Sequence, residues 1–390
     1  RERWWLPPAA AAAAVLVALV VSWQGIGPGP VPALPAASPS ATLPTDTWVA
    51  TAASPLSPRQ SSVAMWADGT FVVIGGVRSA PCPASADCGA PAFLRDGARY
   101  DPRADSWTRI ADAPEDVYGF PQTTLEQAAV LDTTIYLLGT TSLLAYDLDT
   151  DQWRRLPFPP GGDIIAFGTV DSAVVAVATR DDHPGEVTFA TLRPERDTWV
   201  LHTIEGSADG SATSATVAGD RLVLTSMTTG SPTSIWAVDT VDTTTARLTR
   251  TVTPAMETYV LHSIALSTSL TDYAVWRGQR RKAWFLDTRT GRWSDVDRPA
   301  SDGAFVGVSG GSTVFWPVTV AGMVEVRGHL YDPDTRLWSA TPRLPTGSDS
   351  PVVTSGPDLV LACYGYSAAT DAFADTCYLL RPGPASRARP

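Results

Sequence analysis

The residues able to do chemistry are few and scattered. Four histidines, His183, His202, His262 and His329, never stand beside one another. Acidic residues are abundant but fall mostly in turn-like stretches, where hydrogen bonding to backbone amides accounts for them. The cysteines form two close pairs, Cys82 with Cys88 and Cys363 with Cys377. An even number in tight pairs reads as two disulfides made in an oxidising compartment. A single zinc site built from all four is the competing reading, but neither pair has the spacing of a zinc knuckle. No phosphate-binding glycine loop, zinc-protease helix or nucleophile elbow is present. One stretch does have the composition of a site: residues 100–107, YDPRADSW, bring a tyrosine, two aspartates and a tryptophan together.

That stretch is a repeat. It returns as residues 146–153 (YDLDTDQW), 286–293 (LDTRTGRW) and 331–338 (YDPDTRLW), and more loosely as 192–199 (LRPERDTW). The closing tryptophans Trp107, Trp153, Trp199, Trp293 and Trp338 follow one another at steps of 46, 46, 94 and 45 residues. The step of 94 hides one copy near residues 246–248 whose tryptophan has been replaced. Recurrence turns the site-like motif into a structural unit. Its first aspartate (Asp101, Asp147, Asp287, Asp332) can accept hydrogen bonds from turn amides, and Pro102 and Pro333 preset the turn. The tryptophan is a large apolar body suited to the contact between neighbouring units.

A period near 46 falls within the range of propeller repeats, and each period reads as four short strands. Second strands are expected at residues 70–74, 134–138, 173–177, 221–224, 272–275, 313–315 and 358–361, which makes seven blades. Only six have a following fourth strand, because the last copy stops after residues 377–380. Residues 45–52 (TDTWVATA), with the orphan Trp48, are expected to supply the missing strand and close the ring, removing open sheet edges.

The glycine pair Gly75-Gly76 after an apolar strand, followed by Tyr100-Asp101 and Trp107, resembles the kelch family of β-propellers. The resemblance spans about residues 45–384. Only the first copy keeps the glycine pair; the others read Gly139-Thr140, Ala178-Thr179, Ser226-Met227, Trp276-Arg277, Trp316-Pro317 and Tyr364-Gly365. The resemblance implies an all-β, seven-bladed propeller that acts as a binding scaffold. It also admits an enzyme, because some kelch propellers form the core of copper oxidases resembling galactose oxidase. Those oxidases need paired histidines and a tyrosine cross-linked to a cysteine. Here the histidines are dispersed, and Cys363-Tyr364 and Cys377-Tyr378 are better explained by a disulfide across one hairpin. A glycan hydrolase of sialidase type is the other enzymatic alternative, with DTRTGRW at residues 287–293 as a superficial match to its turn motif.

The elements that would position any site are bounded by composition. The 390 residues carry a net charge of −11, with only 18% charged, which argues against nucleic acid as a partner. Residues 1–24 hold Arg1 and Arg3 before an uncharged run flanked by Trp4, Trp5 and Trp23. Its length matches one bilayer crossing with the N-terminus in the cytoplasm; a cleaved signal peptide is the alternative. Residues 25–44 form a Pro/Ala-rich spacer, 45–384 the propeller and 385–390 a tail. Loops between second and third strands share one face, expected to carry Trp276, Arg277, Trp316, Tyr364 and Tyr366 as a binding surface. Packing of these aromatics beneath their own loops is the alternative. The expectation is a membrane-anchored, extracytoplasmic, non-catalytic module for an envelope protein or glycan, without a cofactor.

Overall fold

In the computed structural model the described residues are 46–78, 91–119, 127–170, 172–179, 187–204, 212–218, 221–228, 235–251, 260–265, 272–277, 282–287, 292–297, 308–310, 313–320, 323–332, 337–345, 351–367 and 372–381. For residues 212–214, 216–218, 225–239 and 250–340 the strands are described by their backbone alone. The expected anchor (1–24), the spacer (25–44), the tail (385–390) and the Cys82–Cys88 loop lie outside the described residues. No helix among the described residues is long and apolar enough to cross a membrane.

The described elements are all β. They form seven four-stranded antiparallel sheets and one small hairpin, Tyr366–Ser367 with Ala372–Phe373. Six sheets use consecutive strands, from Val63–Ala67 through Ser106–Ile110 in the first to Val308–Gly310 through Leu337–Ala340 in the sixth. The seventh is composite: Val352–Ser355, Val360–Cys363 and Cys377–Leu380 are completed by Trp48–Ala50 from the other end of the chain. Trp48 lies opposite Leu380, so the strand expected from the orphan tryptophan is in place. Innermost strands of neighbouring sheets meet: Val63–Ala67 touches both Val352–Ser355 and Ala128–Leu131, which in turn touches Asp163–Val170. Each main core cluster is shared between two sheets, as where Ile74 and Val117 pack with Ile135, Leu137 and Leu144. Alternating side chains of short strands cannot bury both faces alone, so burial is achieved only by stacking sheets.

One register unites all seven sheets. Tyr100 faces Trp107, Tyr146 faces Trp153, Leu192 faces Trp199, and Val241 faces Leu248. Leu286 faces Trp293, Tyr331 faces Trp338, and Leu380 faces Trp48. The copy without a tryptophan is therefore in register, with Leu248 in its place. The turn works as its sequence suggests: Asp101 Oδ1 accepts from Arg103 N at 2.8 Å, and Asp147 Oδ1 from Thr150 N at 2.8 Å. The residue two before the tryptophan takes a left-handed backbone, at φ 45° for Asp105, 55° for Asp151, 51° for Asp197 and 55° for Asp46. Aspartate tolerates this conformation better than most residues, and asparagine, the usual alternative, is absent from the chain.

Several strands outrun their expected ends. The second strand of the fifth sheet is Asp272–Arg277 and that of the sixth is Thr313–Val320. Trp276, Arg277 and Trp316 thus belong to strands and not to the loops they were expected to occupy. The cause is sequence continuity: β-branched and aromatic residues run on either side of Pro317 from Phe315 through Val320, and the first glycine follows at Gly322.

Candidate functional site

Several described loop segments meet where the composite sheet adjoins the first sheet. Antiparallel alternation sends the loop after each second strand and the linker between successive sheets to the same end. Here residues 75–78 and 91–96 of the first sheet, the linker residues 51–62 and 111–119, and residues 364–367 and 372–376 converge.

Two sharp bends shape this region. After Thr70–Ile74 the chain turns through Gly75 at φ 65° and Gly76 at φ 105°. A Cβ on Gly75 would stand 2.0 Å from the Val117 carbonyl oxygen, and one on Gly76 would stand 2.6 Å from the Gln60 carbonyl oxygen. The glycine pair is therefore required by the linker that crosses it, and Gly76 N donates to Val117 O at 2.7 Å. After Val360–Cys363 the same bend recurs in Tyr364 at φ 55° and Gly365 at φ 96°. Gly365 N donates to Arg59 O at 3.3 Å, repeating the linker crossing.

Arg59 stands between the two bends. Its side chain is fully buried, and all five N–H groups are used. It donates to Asp96 Oδ1 and Oδ2 at 2.7 and 2.8 Å, to Gly75 O at 3.0 Å, and to Ser57 O and Oγ at 2.8 and 3.1 Å. Burial pushes the Asp96 carboxyl up, but the hydrogen bonds and charge of Arg59 prevail and hold it below its ordinary value. A buried guanidinium satisfied so completely has no donor left for a ligand, so Arg59 is a brace.

Tyr364 is also buried, with its hydroxyl 2.6 Å from Ser54 Oγ. Burial pushes its phenol above the usual tyrosine value, with Asp96 adding to the effect against Ser54 and Arg59, so it stays protonated near neutrality. Tyr366 is buried as well and meets Phe373 edge-on at 6.1 Å. These two tyrosines therefore pack beneath the loop instead of presenting an exposed surface. Cys363 and Cys377 face each other across paired strands and form a disulfide, as expected, at the base of this loop. That bond occupies both cysteines, leaving neither for a tyrosine cross-link. Cys82 and Cys88 lie outside the described residues, as does His183. Among the described residues no three His, Cys, Asp or Glu side chains cluster as metal ligands. His202 stacks on Phe189 at 4.6 Å, and burial, then Arg193, lowers its pKa.

The residues most in use were the ones the sequence left unread. The second aspartate of the repeat joins two sheets: Asp105 Oδ1 accepts from Tyr100 Oη and from Ala52 N, each at 2.8 Å. Asp151 does the same with Tyr146 Oη and Ala111 N, each at 2.7 Å. The tryptophan adds a bond to the same linker, from Trp153 Nε1 to Ala111 O at 2.8 Å and from Trp48 Nε1 to Pro342 O at 2.9 Å. An arginine two residues further on reaches Pro55 O from Arg109 and Pro114 O from Arg155, at 2.8 and 2.7 Å. In the third sheet the linker position is Pro157, which has no N–H to give; Asp197 instead takes Arg154 Nη1 at 3.0 Å. The signal was present as the recurring D-x-W-x-R of residues 105–109 and 151–155.

No family model and no curated protein matches the chain. Among solved structures it is similar to hydrazine synthase of Kuenenia stuttgartiensis, at 13% identity and a TM-score of 0.52, over 83% of this chain and 96% of that one. As many as 924 solved chains match, and a fold shared so widely is no guide to chemistry. The chain has a β-propeller-like all-β fold, built from four-stranded sheets and bonded by one disulfide.

Proposed function

We propose that the chain is an extracytoplasmic, seven-bladed kelch-like propeller that binds a partner protein or glycan without catalysing a reaction. Residues 1–24 hold it to the membrane and 25–44 set it off the surface. The observation that carries the reading is a division of labour. Repeat residues that look chemical (Tyr100, Asp105, Trp107 and their copies) are consumed in bracing one sheet against the next. What varies from sheet to sheet is the set of loops after the second strands, and variable loops on a rigid scaffold are where recognition resides. The Cys363–Cys377 disulfide at the base of one such loop supports an oxidising compartment. Contact falls to Trp276, Arg277 and Trp316 and to the loops that follow them, with a bridge between Cys82 and Cys88 shaping the first loop.

The test is binding of the detergent-solubilised chain to envelope proteins and to a glycan array. Replacing Trp276 and Arg277 by alanine should weaken capture at least tenfold, about 1.4 kcal/mol, with an unchanged thermal midpoint. Purified protein carrying stoichiometric copper would sink the non-catalytic reading. Non-reducing peptide mapping should also find Cys82 joined to Cys88.

A further inference from the structure

The first sheet has the longest connection between a second and a third strand, residues 75–96 between Thr70–Ile74 and Gly97–Asp101. The second sheet makes the same connection within residues 139–142, where Gly139 N donates to Ser142 O at 3.0 Å. A connection so much longer than its sister is a common place for function. Its last residues lie against the linker that leads to the second sheet. Val117 N donates to Leu94 O at 3.2 Å, and Arg95 Nε donates to Asp116 Oδ1 at 2.7 Å. The Phe93 and Tyr118 rings meet at 4.6 Å with their planes 30° apart. Residues 93–95 and 116–118 therefore run side by side in opposite directions.

Residues two apart in an extended stretch share a face. Val117 faces inward, buried in the cluster that holds Ile74 and Ile135. Glu115 keeps the same alternation and turns to the second bend, where it accepts from Ser142 Oγ at 3.0 Å. The other face therefore carries an aromatic pair beside an ion pair. Both rings are half-buried, and the Arg95 and Asp116 side chains are 53% and 41% exposed. An ion pair so exposed contributes little to stability, so the fold does not account for it. Its bond uses Nε and Oδ1 alone, which leaves the Nη donors and Oδ2 to meet a ligand.

We propose that this face binds a neutral sugar residue of a glycan, an inference that rests on the non-catalytic binding reading and narrows its ligand. A pyranose ring presents a face of C–H groups, which packs on the negative face of an aromatic ring. It also presents adjacent hydroxyls, each both donor and acceptor. Arg95 supplies donors and Asp116 an acceptor for two such hydroxyls, in hydrogen bonds that charge strengthens. A few placed polar groups beside aromatic surface are the usual makings of a small-ligand site. The core of a protein interface, by contrast, is depleted of carboxylates, and Asp116 stands two residues from Tyr118. The two charges cancel, so the site offers no net pull on an anion, and the net charge of −11 repels acidic polymers.

Isothermal titration of the full chain with hexasaccharides of glucose, mannose, galactose and N-acetylglucosamine tests this, in a zwitterionic detergent without a sugar headgroup. At least one should bind. Arg95→Ala and Asp116→Ala remove exposed groups, so their thermal midpoints should match the wild type. Each should nevertheless weaken binding at least tenfold, about 1.4 kcal/mol. Tyr118→Ala should weaken it as much, and Tyr118→Trp, which keeps an aromatic face, should retain it. Failure of all four sugars to bind overturns the proposal, and so does binding that Arg95→Ala and Asp116→Ala leave unchanged. Preference for a hexasaccharide of glucuronic acid overturns the neutral class of ligand. Capture of an envelope protein without any sugar binding overturns this inference while leaving the binding-module reading in place; loss of both overturns both.

Discussion

Gly75-Gly76 and Tyr364-Gly365 make the same bend at the same place in their sheets, with first residues at φ 65° and 55° and second residues at φ 105° and 96°. They pay for it differently. At Gly75 the crossing linker comes so close that no side chain fits. At Tyr364 there is room, and the chain accepts a left-handed tyrosine, a conformation that costs roughly 1–2 kcal/mol. In return the ring is buried and its hydroxyl holds Ser54, in the linker leading from the strand Trp48–Ala50 to the first sheet. The lesson is that a backbone conformation can be kept while its side chain is recruited to another task. Here that task is securing the linker between the chain's composite sheet and its first sheet.

Arg59 tests how far the two bends depend on one another, because its side chain holds Gly75 and its backbone holds Gly365. Asp96→Asn should give the largest loss, about 3–5 kcal/mol, since it leaves a buried guanidinium without its counter-charge. Chemical denaturation at neutral pH measures it. The acid limb gives a second reading. Asp96 has a folded pKa below 3.8, so its contribution is complete above that value and disappears as pH falls through the lower, folded one. The variant should lack that part of the acid transition. Gly75→Ala comes next, at about 3 kcal/mol, from left-handed strain together with displacement of Val117. A mild effect, comparable to an exposed substitution, would mean that the two bends differ less than their surroundings indicate.

On the composite side, the disulfide offers the next contrast, because the described part of the first bend has no covalent counterpart. Cys363→Ser with Cys377→Ser should cost about 3 kcal/mol by the loop-entropy relation for a separation of 14 residues. The cost should be specific to the composite sheet. Hydrogen exchange should rise in Cys377–Leu380 and Trp48–Ala50 before it rises in the second sheet; equal acceleration everywhere would count against a local role.

How much of this was legible follows from what repetition can reveal. Strand count, register and the closing strand at Trp48 were readable because they recur, and seven tryptophan-like positions leave little freedom in alignment. The crossing of linkers was not readable, because Arg59 and Asp96 occur once and are 37 residues apart. Asp105 was hidden by its neighbour: Asp101 offered a sufficient local explanation of the turn, so the bond from Asp105 to Ala52, 53 residues away, had no separate signal. Tyr364 and Tyr366 read as candidate surface aromatics, since sequence says where a loop begins but not which way its residues turn. Trp276 and Trp316 read as loop residues because strand ends were taken from the first sheet, whose glycine pair stops its second strand early.

The smallest effect isolates what the tyrosine adds to its bend. Tyr364→Phe keeps the ring, its burial and its left-handed backbone, and removes only the bond to Ser54. It should cost about 1 kcal/mol at neutral pH, where the phenol is protonated in folded and unfolded chains alike. Alkali should change that difference in a defined direction. Burial raises the folded pKa of Tyr364 above 10.0, so the unfolded chain loses the proton first and the wild type is progressively destabilised as pH rises past that point. Phenylalanine cannot ionise, so the gap between wild type and variant should narrow there. Tyr100 and Tyr146 are raised by the same cause, burial reinforced by Asp105 and Asp151, and they titrate alike in both proteins, so they cancel in the comparison. A gap that stays constant from neutral pH into alkali would show that the Tyr364 hydroxyl is open to solvent, and that the two bends differ in their side chains without differing in what those side chains hold.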